Sequence, residues 1–383
     1  MTHSIFQKTS DIPNKDWEQV LVAYNLYLSI PYLKVLEETL QGQVSLFFCV
    51  SYQHGVPALI TAFQLVTFVD SREQTRSSFL KLFSETKSKR HPFKMNMLVC
   101  GNVFADGEHG FVATEAISQE EVIVELVAIS KEIEKRFSPH KKISVSLFKE
   151  FWPSSVVMMD GLLASRFKGF NIDVNMVLDI HASWNTFDDY LLSMKTKFRT
   201  KANSAYKRSK DVEMQSFSSS EINTNSETID ILLANVLDKS EYSFGRMDAS
   251  VFAELKKNLK DDFSFMGVYL ENKLVGFSIA YFHKNIIEAG FVGLDYTLNV
   301  DYAIYQRILY NYVEQAIERK ASQLQLGRTS ELIKSALGAR PVDMKLYAKH
   351  KRPLTNLIMG AVLNKVTPSD YELRRPFKSG FEV

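Results

Sequence analysis

The most concentrated charge in the sequence lies between Lys195 and Lys210, where every ionisable side chain except Tyr206 is basic. Since the formal net charge of the chain is only +2, this positive field is local. Such a cluster is suited to a phosphate-bearing ligand, and we take Lys197, Arg199 and Arg208 as its candidates. The alternative is the solvated face of a helix.

A second candidate anion site is the segment Gly327–Ala339, which follows a short apolar stretch. Arg328 would stand at the end of a strand and Lys334 within a short helix, where both could bind an anionic group. Alternatively, Arg328 pairs with an acidic residue and holds the corner together.

Candidates for proton transfer lie in two loops. Glu108 and His109 are in the glycine-rich stretch 100–110, and either side chain could deprotonate an attacking nucleophile. The alternative for them is ordinary turn chemistry, which Asp-Gly and His-Gly pairs favour. Asp295 lies at the end of a predicted strand, so a second carboxylate, and a third candidate, is expected at the end of a sheet.

The elements that must position these residues recur twice in the same order. Apolar runs on both sides of a Gly turn predict a hairpin over 44–68, then a strand over 94–104, a helix over 119–137 and a strand over 142–148. The second set is a hairpin over 263–282, a strand over 286–296, a helix over 303–319 and a strand over 323–326. A helical segment precedes each hairpin, over 17–39 and 226–259. A further helix, capped by Asn185 or Thr186, should carry the cationic residues.

Strands that alternate with helices predict an α/β fold, with mixed sheets covered by helices. The repetition predicts two tandem units, which we place at residues 1–168 and 169–383.

This order of elements resembles the GNAT acyltransferase fold, and its duplication resembles the FemABX aminoacyltransferases. The second half of the sequence is similar to the GNAT-type domain of FemAB-like and BioF-associated acyltransferases. The residues that carry this similarity include Trp184, Phe187, Tyr190, Gly327-Arg-Thr and Leu337-Gly-Ala. The resemblance implies an N-acyltransferase with acyl-coenzyme A as co-substrate. It implies that the donor is bound by cationic residues, namely Lys197, Arg199, Arg208, Arg328 and Lys334. It also implies that Tyr296 and Tyr305 bind the substrate.

The segment 295–302 departs from the family pattern, because GNAT enzymes carry a glycine-rich pyrophosphate loop at this corner and here there is no glycine. We expect Asp301 to cap the following helix instead. Two alternatives therefore remain: an aminoacyl-tRNA-dependent ligase of the FemABX kind, and a non-catalytic binding protein that keeps the fold.

The remaining expectations concern cofactors, partners and compartment. No Cys/His spacing suggests a metal site, and we expect no tightly bound cofactor. The partners predicted are a small-molecule acyl donor and an amine acceptor, with an amine of a cell-envelope or lipid precursor as the candidate acceptor. The alternative donor is tRNA, and no DNA partner is expected. Two cysteines in apolar runs and no apolar stretch of about 20 residues predict a cytoplasmic protein without a membrane span.

Overall fold

The computed structural model describes residues 1–22, 25–70, 93–137, 142–238, 242–243, 245–363 and 372–381. The chain divides into two compact units. Unit 1 comprises residues 1–173, 241–246 and 343–368, and unit 2 comprises residues 174–240, 247–342 and 369–383.

The strands in chain order are β1 Thr2–Phe6, β2 Ser45–Gln53, β3 Val56–Asp70, β4 Phe93–Cys100, β5 Phe111–Ala113, β6 Val145–Phe151, β7 Lys168–Asp179, β8 Val212–Ser216, β9 Tyr242–Ser243, β10 Phe263–Leu270, β11 Lys273–His283, β12 Ile286–Leu294, β13 Gln323–Gln325 and β14 Arg340–His350. The α-helices are α1 Asn14–Val20, α2 Ile30–Thr39, α3 Gln119–Phe137, α4 Pro153–Met159, α5 Phe187–Ser193, α6 Thr196–Arg208, α7 Ser219–Thr224, α8 Ser226–Leu237, α9 Ala249–Leu259, α10 Tyr296–Tyr302, α11 Ile304–Glu318, α12 Glu331–Ala336 and α13 Pro353–Leu363.

The sheet of unit 1 has the strand order β1-β2-β3-β4-β6-β14. Its neighbours are antiparallel except for β4 and β6, which are parallel. Parallel neighbours require a crossover, and α3 supplies it. Its apolar positions recur at helical spacing, so that Leu126, Ile129 and Ile133 are buried in the core of this unit.

The sheet of unit 2 repeats this arrangement with the order β8-β10-β11-β12-β13-β7. Again one pair, β12 with β13, is parallel and the others are antiparallel. The helices α10 and α11 form the crossover. The predicted mixed α/β class and the duplicated unit are therefore confirmed, with the hairpins, the third strands and the crossover helices within a few residues of the predicted bounds.

Some details differ from the sequence-based expectations. The helix expected to run from Thr186 through the cationic segment is interrupted, because Met194 is extended and pairs with Phe377 and the Lys195 N–H donates to the Pro376 carbonyl. The second unit is also not contiguous: residues 343–368 belong to unit 1, because β14 pairs with β6.

Candidate functional site

In unit 2, the parallel strands β12 and β13 separate from each other. They pair only where Ile286–Glu288 faces Gln323–Gln325, although β12 continues to Leu294. The chain after Gln325 follows β7 instead, and the Leu326 N–H donates to the Met176 carbonyl at 2.8 Å. The second half of β12 therefore borders an opening in the sheet.

A bulge in β12 lies at this opening. The register between β11 and β12 shifts between Ser278 and Ala280, which places Gly290 against Ile279 so closely that an added Cβ would lie 2.7 Å from Ile279 Cγ1. In unit 1, the corresponding ladder between β3 and β4 keeps one register along its length. Because bulges redirect strand groups and often lie beside active sites, the distortion favours unit 2 as the location of the chemistry.

A buried acid–imidazole pair stands where the strands part. The carboxylate of Glu288 lies 2.8 Å from Nε2 of His283, and both side chains are largely buried. In the ladder Glu288 faces Gln325, the last residue of β13, so the backbone of Glu288 lies at the apex of the opening. The sequence prediction missed this pair; its signal is an isolated acid in an apolar strand, two residues before Gly290.

Two buried amides flank the same opening. The side-chain amide N–H of Gln325 donates to Gln323 Oε1 at 2.9 Å. Its own Oε1 has no hydrogen-bond partner among the described residues. Asn175 on β7 accepts from the Gly327 N–H at 3.1 Å, whereas its Nδ2 finds no partner within the described part of the chain. Leaving a buried polar group unpaired costs about 1–3 kcal/mol, so such groups are suited to a polar ligand.

At the N-terminus of α11, a side chain uses one of the main-chain donors that a phosphate would need. Asn299 Oδ1 accepts from the Tyr305 N–H at 2.8 Å, in the first turn of the helix. Asp301, expected as the cap, lies within α10, and the residue that precedes α11 is Ala303 with φ 50°. Asp295 caps α10 by accepting from the Thr297 N–H at 3.0 Å.

The predicted substrate tyrosines lie at the open end of β12. Burial raises the pKa of both Tyr296 and Tyr305. The Ser330 side chain, in the loop after β13, partly offsets this shift of the Tyr305 pKa, so the segments on the two sides of the opening lie close together here.

That loop is held by Lys334. This lysine is 4% exposed, and its ammonium donates to the carbonyls of Gly327 at 3.2 Å and Arg328 at 2.5 Å. Thr329 and Ser330 both have positive φ, a strained conformation for residues other than glycine. The placement of Lys334 thus favours a role in loop structure, while the Arg328 side chain is half-buried at the edge of the site.

The cationic segment forms α6, with Lys197 exposed and Arg199 half-buried. Arg208 donates from Nε to the Asp301 carbonyl at 3.3 Å and from Nη2 to the Val300 carbonyl, so its guanidinium binds the end of α10. Lys201 reaches a cleft of about 150 Å³, which is lined by residues of α6, α11 and α12 and by Arg374.

A polar network, which the sequence prediction missed, fixes α6 against α11. The Tyr206 hydroxyl donates to Glu314 at 2.6 Å, and Arg307 donates to both of them at 3.1 Å.

Glu108 and His109 lie in unit 1, whereas Asp295 lies in unit 2. The Glu108 carboxylate accepts from the Ser155 hydroxyl at 3.0 Å, at the start of α4, and burial raises its pKa. His109 is buried, with its ring centroid 4.0 Å from that of Tyr27. Both side chains therefore take part in the local packing of the loop.

No protein-family model matches the chain, and no curated protein sequence matches it. Among solved structures it is similar to FemX, with a TM-score of 0.57 and 13% identity over 94% of this chain and 100% of that one. It is also similar to a tandem GNAT protein from the clavulanic acid biosynthesis pathway, with a TM-score of 0.53 and 8% identity over 92% and 99% of the two chains. A third is the C-terminal domain of a putative lysylphosphatidylglycerol synthetase from Agrobacterium fabrum, with a TM-score of 0.50 and 9% identity over 91% and 95%. At identities this low, the likeness concerns the fold.

Proposed function

We propose, from the premise that this chain has a tandem GNAT-like fold, that unit 2 transfers an acyl or aminoacyl group from an activated donor to an amine. The observation that carries the proposal is the separation of β12 from β13 directly after Glu288, beside a bulge. An opening in a sheet, bordered by main-chain groups and a buried acid–imidazole pair, has the elements that acyl transfer requires.

In the reaction proposed, the amine nitrogen attacks the carbonyl carbon of the donor. Main-chain N–H groups of β12 between Ala289 and Leu294 stabilise the negative charge that develops on the carbonyl oxygen. Glu288 accepts the proton that the amine loses, and His283 orients its carboxylate. The bond to the donor's leaving group then breaks, and that thiolate or alkoxide takes up the proton that Glu288 accepted. Asp295, at the far end of β12, is a second candidate proton acceptor.

We propose acyl-coenzyme A as the donor, with Lys197, Arg199 and Arg328 near its phosphates. The acceptor would be an amine of a cell-envelope or lipid precursor, and the reaction would take place in the cytoplasm. Gln325 Oε1 and Asn175 Nδ2, which have no partner among the residues described, would bond an amide of either substrate.

One observation favours a different donor. The Asn299 side chain occupies one of the first-turn N–H groups of α11 that would bind a pyrophosphate, so this helix end offers fewer main-chain donors to a phosphate. An aminoacyl-tRNA needs no such cradle at this helix and could use the cations of α6 for its backbone. Aminoacyl transfer from tRNA is therefore the second candidate function.

The test measures product formation and binding separately. Purified protein is incubated with radiolabelled acetyl-coenzyme A, or with a charged tRNA, and a panel of primary amines, and label transfer is followed in wild type and Glu288→Gln. Glu254→Gln on α9 is the matched control. Transfer by wild type and by the control, with a large loss in Glu288→Gln, supports the proposal. Ligand binding without transfer by wild type supports a non-catalytic protein instead.

A further inference from the structure

Helix α13 in unit 1 has apolar residues on opposite faces. One face is buried and holds the helix to the unit through the apolar Met359 and Leu363 and the polar Asn356. On the other side, Leu354 is 72% exposed, Leu357 68% and Ile358 38%. A helix on the surface of a globular protein normally turns polar residues to water, so the outer face of α13 is suited to an apolar environment.

This face is held in place by specific bonds. Asn356 Oδ1 accepts from the His350 N–H at 2.8 Å, and Asn356 Nδ2 donates to the Arg166 carbonyl at 2.9 Å. The buried side therefore fixes the orientation of the helix, while the outer leucine side chains remain exposed and could be buried by a binding partner.

A cationic cleft of about 370 Å³ adjoins the start of the helix. It is lined by Lys131, Arg166, Lys349, His350, Lys351, Pro353 and Asn356, among others. Lys131 and Arg166 are exposed, and the Lys349 ammonium lies 5.4 Å from the centre of the Phe167 ring. Burial first, and then the charges of Lys131 and Arg166, lower the pKa of Lys349, against the opposing charge of Glu134. Positive charge is thus in excess at this cleft.

We propose that these two features form one membrane-docking surface, which binds anionic phospholipid with Leu354, Leu357 and Ile358 in the acyl-chain boundary and with Lys131, Arg166 and Lys349 at the headgroup phosphates. Apolar side chains beside a set of cations provide the two contributions that interfacial binding needs. A soluble phosphate would use the cations and leave the leucines exposed. The helix has 11 residues, about half of what a bilayer crossing requires, so it would lie in the interface.

The test is sedimentation of the full chain with vesicles of phosphatidylcholine alone or mixed with phosphatidylglycerol. We expect binding to the mixed vesicles only, weakened by added salt. Leu354→Ser combined with Leu357→Ser should lower the partition coefficient about tenfold or more, and Lys131→Glu combined with Arg166→Glu should do the same. The matched controls are Val157→Ser, at an exposed apolar residue of α4, and Lys15→Glu on α1, and both should bind like wild type.

Thermal unfolding establishes that each variant is folded, and a second pair, Leu357→Asn alone and Lys131→Gln alone, replaces any that is not. The proposal is overturned if the mixed vesicles do not bind wild type, or if folded leucine variants bind as well as wild type. Should glycerol phosphate compete fully while the leucine variants have no effect, the cleft is a site for soluble anions and the membrane surface is refuted. Since the assay involves no acyl transfer, its outcome is independent of the function proposed for unit 2.

Discussion

The carboxylate of Glu288 and the imidazole of His283 lie 2.8 Å apart at the point where β12 leaves β13. If Glu288 accepts the amine proton, Glu288→Gln should lower kcat about 10²-fold or more while the variant remains folded, because the amide cannot take up a proton. Label-transfer kinetics and a thermal melt measure the two effects. A variant with wild-type kcat would remove Glu288 from the mechanism and leave Asp295 as the candidate.

The α6 cations should contribute to ligand binding rather than to stability. Lys197→Glu combined with Arg199→Glu should weaken the binding of acetyl-coenzyme A or tRNA about tenfold or more, with little change in melting temperature, since exposed charges contribute little to folding. Lys273→Glu, at the exposed start of β11, is the control in the same unit. A large loss of stability would instead assign the pair a structural role.

Lys334 should behave in the opposite way. Its buried ammonium is bonded to the carbonyls of Gly327 and Arg328, so Lys334→Ala should lower the free energy of unfolding by about 1–3 kcal/mol. Denaturant unfolding measures this, with Lys197→Ala as the exposed comparison. If Lys334→Ala kept full stability and lost only ligand binding, Lys334 would be a direct ligand contact, as the sequence predicted.

The Arg328 side chain can be tested by a substitution that keeps its charge. Arg328→Lys should weaken donor binding if a phosphate is bound by two guanidinium N–H groups, because lysine offers no planar pair of donors. Isothermal titration with the donor measures the effect. Unchanged affinity would exclude bidentate recognition at this position.

The pKa of Glu108 predicts a pH dependence of stability. Burial raises this pKa above the ordinary value of about 4.3, so between the unfolded and folded pKa values the native state holds the proton more tightly. The stabilisation from the protonated carboxyl is complete below the unfolded pKa and is lost as pH rises through the folded pKa. Glu108→Gln has no carboxyl to titrate here, so it does not lose this stabilisation. Its free energy of unfolding should therefore increase relative to that of wild type from about pH 4 upward. Urea unfolding over that range measures it, and a pH-independent difference would contradict the assignment.

Much of the fold could be predicted because local periodicity encodes it. The crossover helix over Gln119–Phe137 has apolar residues at helical spacing, and the β10–β11 hairpin has strand-forming runs on both sides of a turn. The order of these elements, twice over, indicated the duplicated α/β architecture. These features depend on neighbours in the sequence, which is what pattern reasoning can detect.

The candidate site depends on pairings between distant segments, which leave no local pattern. Only the tertiary structure shows that β13 leaves β12 at Gln325, and this separation makes Glu288 a candidate where the sequence shows an ordinary strand residue. Likewise, the charge of Lys334 suggested anion binding, but its ammonium reaches backbone carbonyls brought close by a strained loop. The sequence determined which residues carry charge and which segments are apolar. Long-range strand pairing and burial decided whether each charged side chain contacts water, a backbone carbonyl or another charge, since the partners lie far apart along the chain.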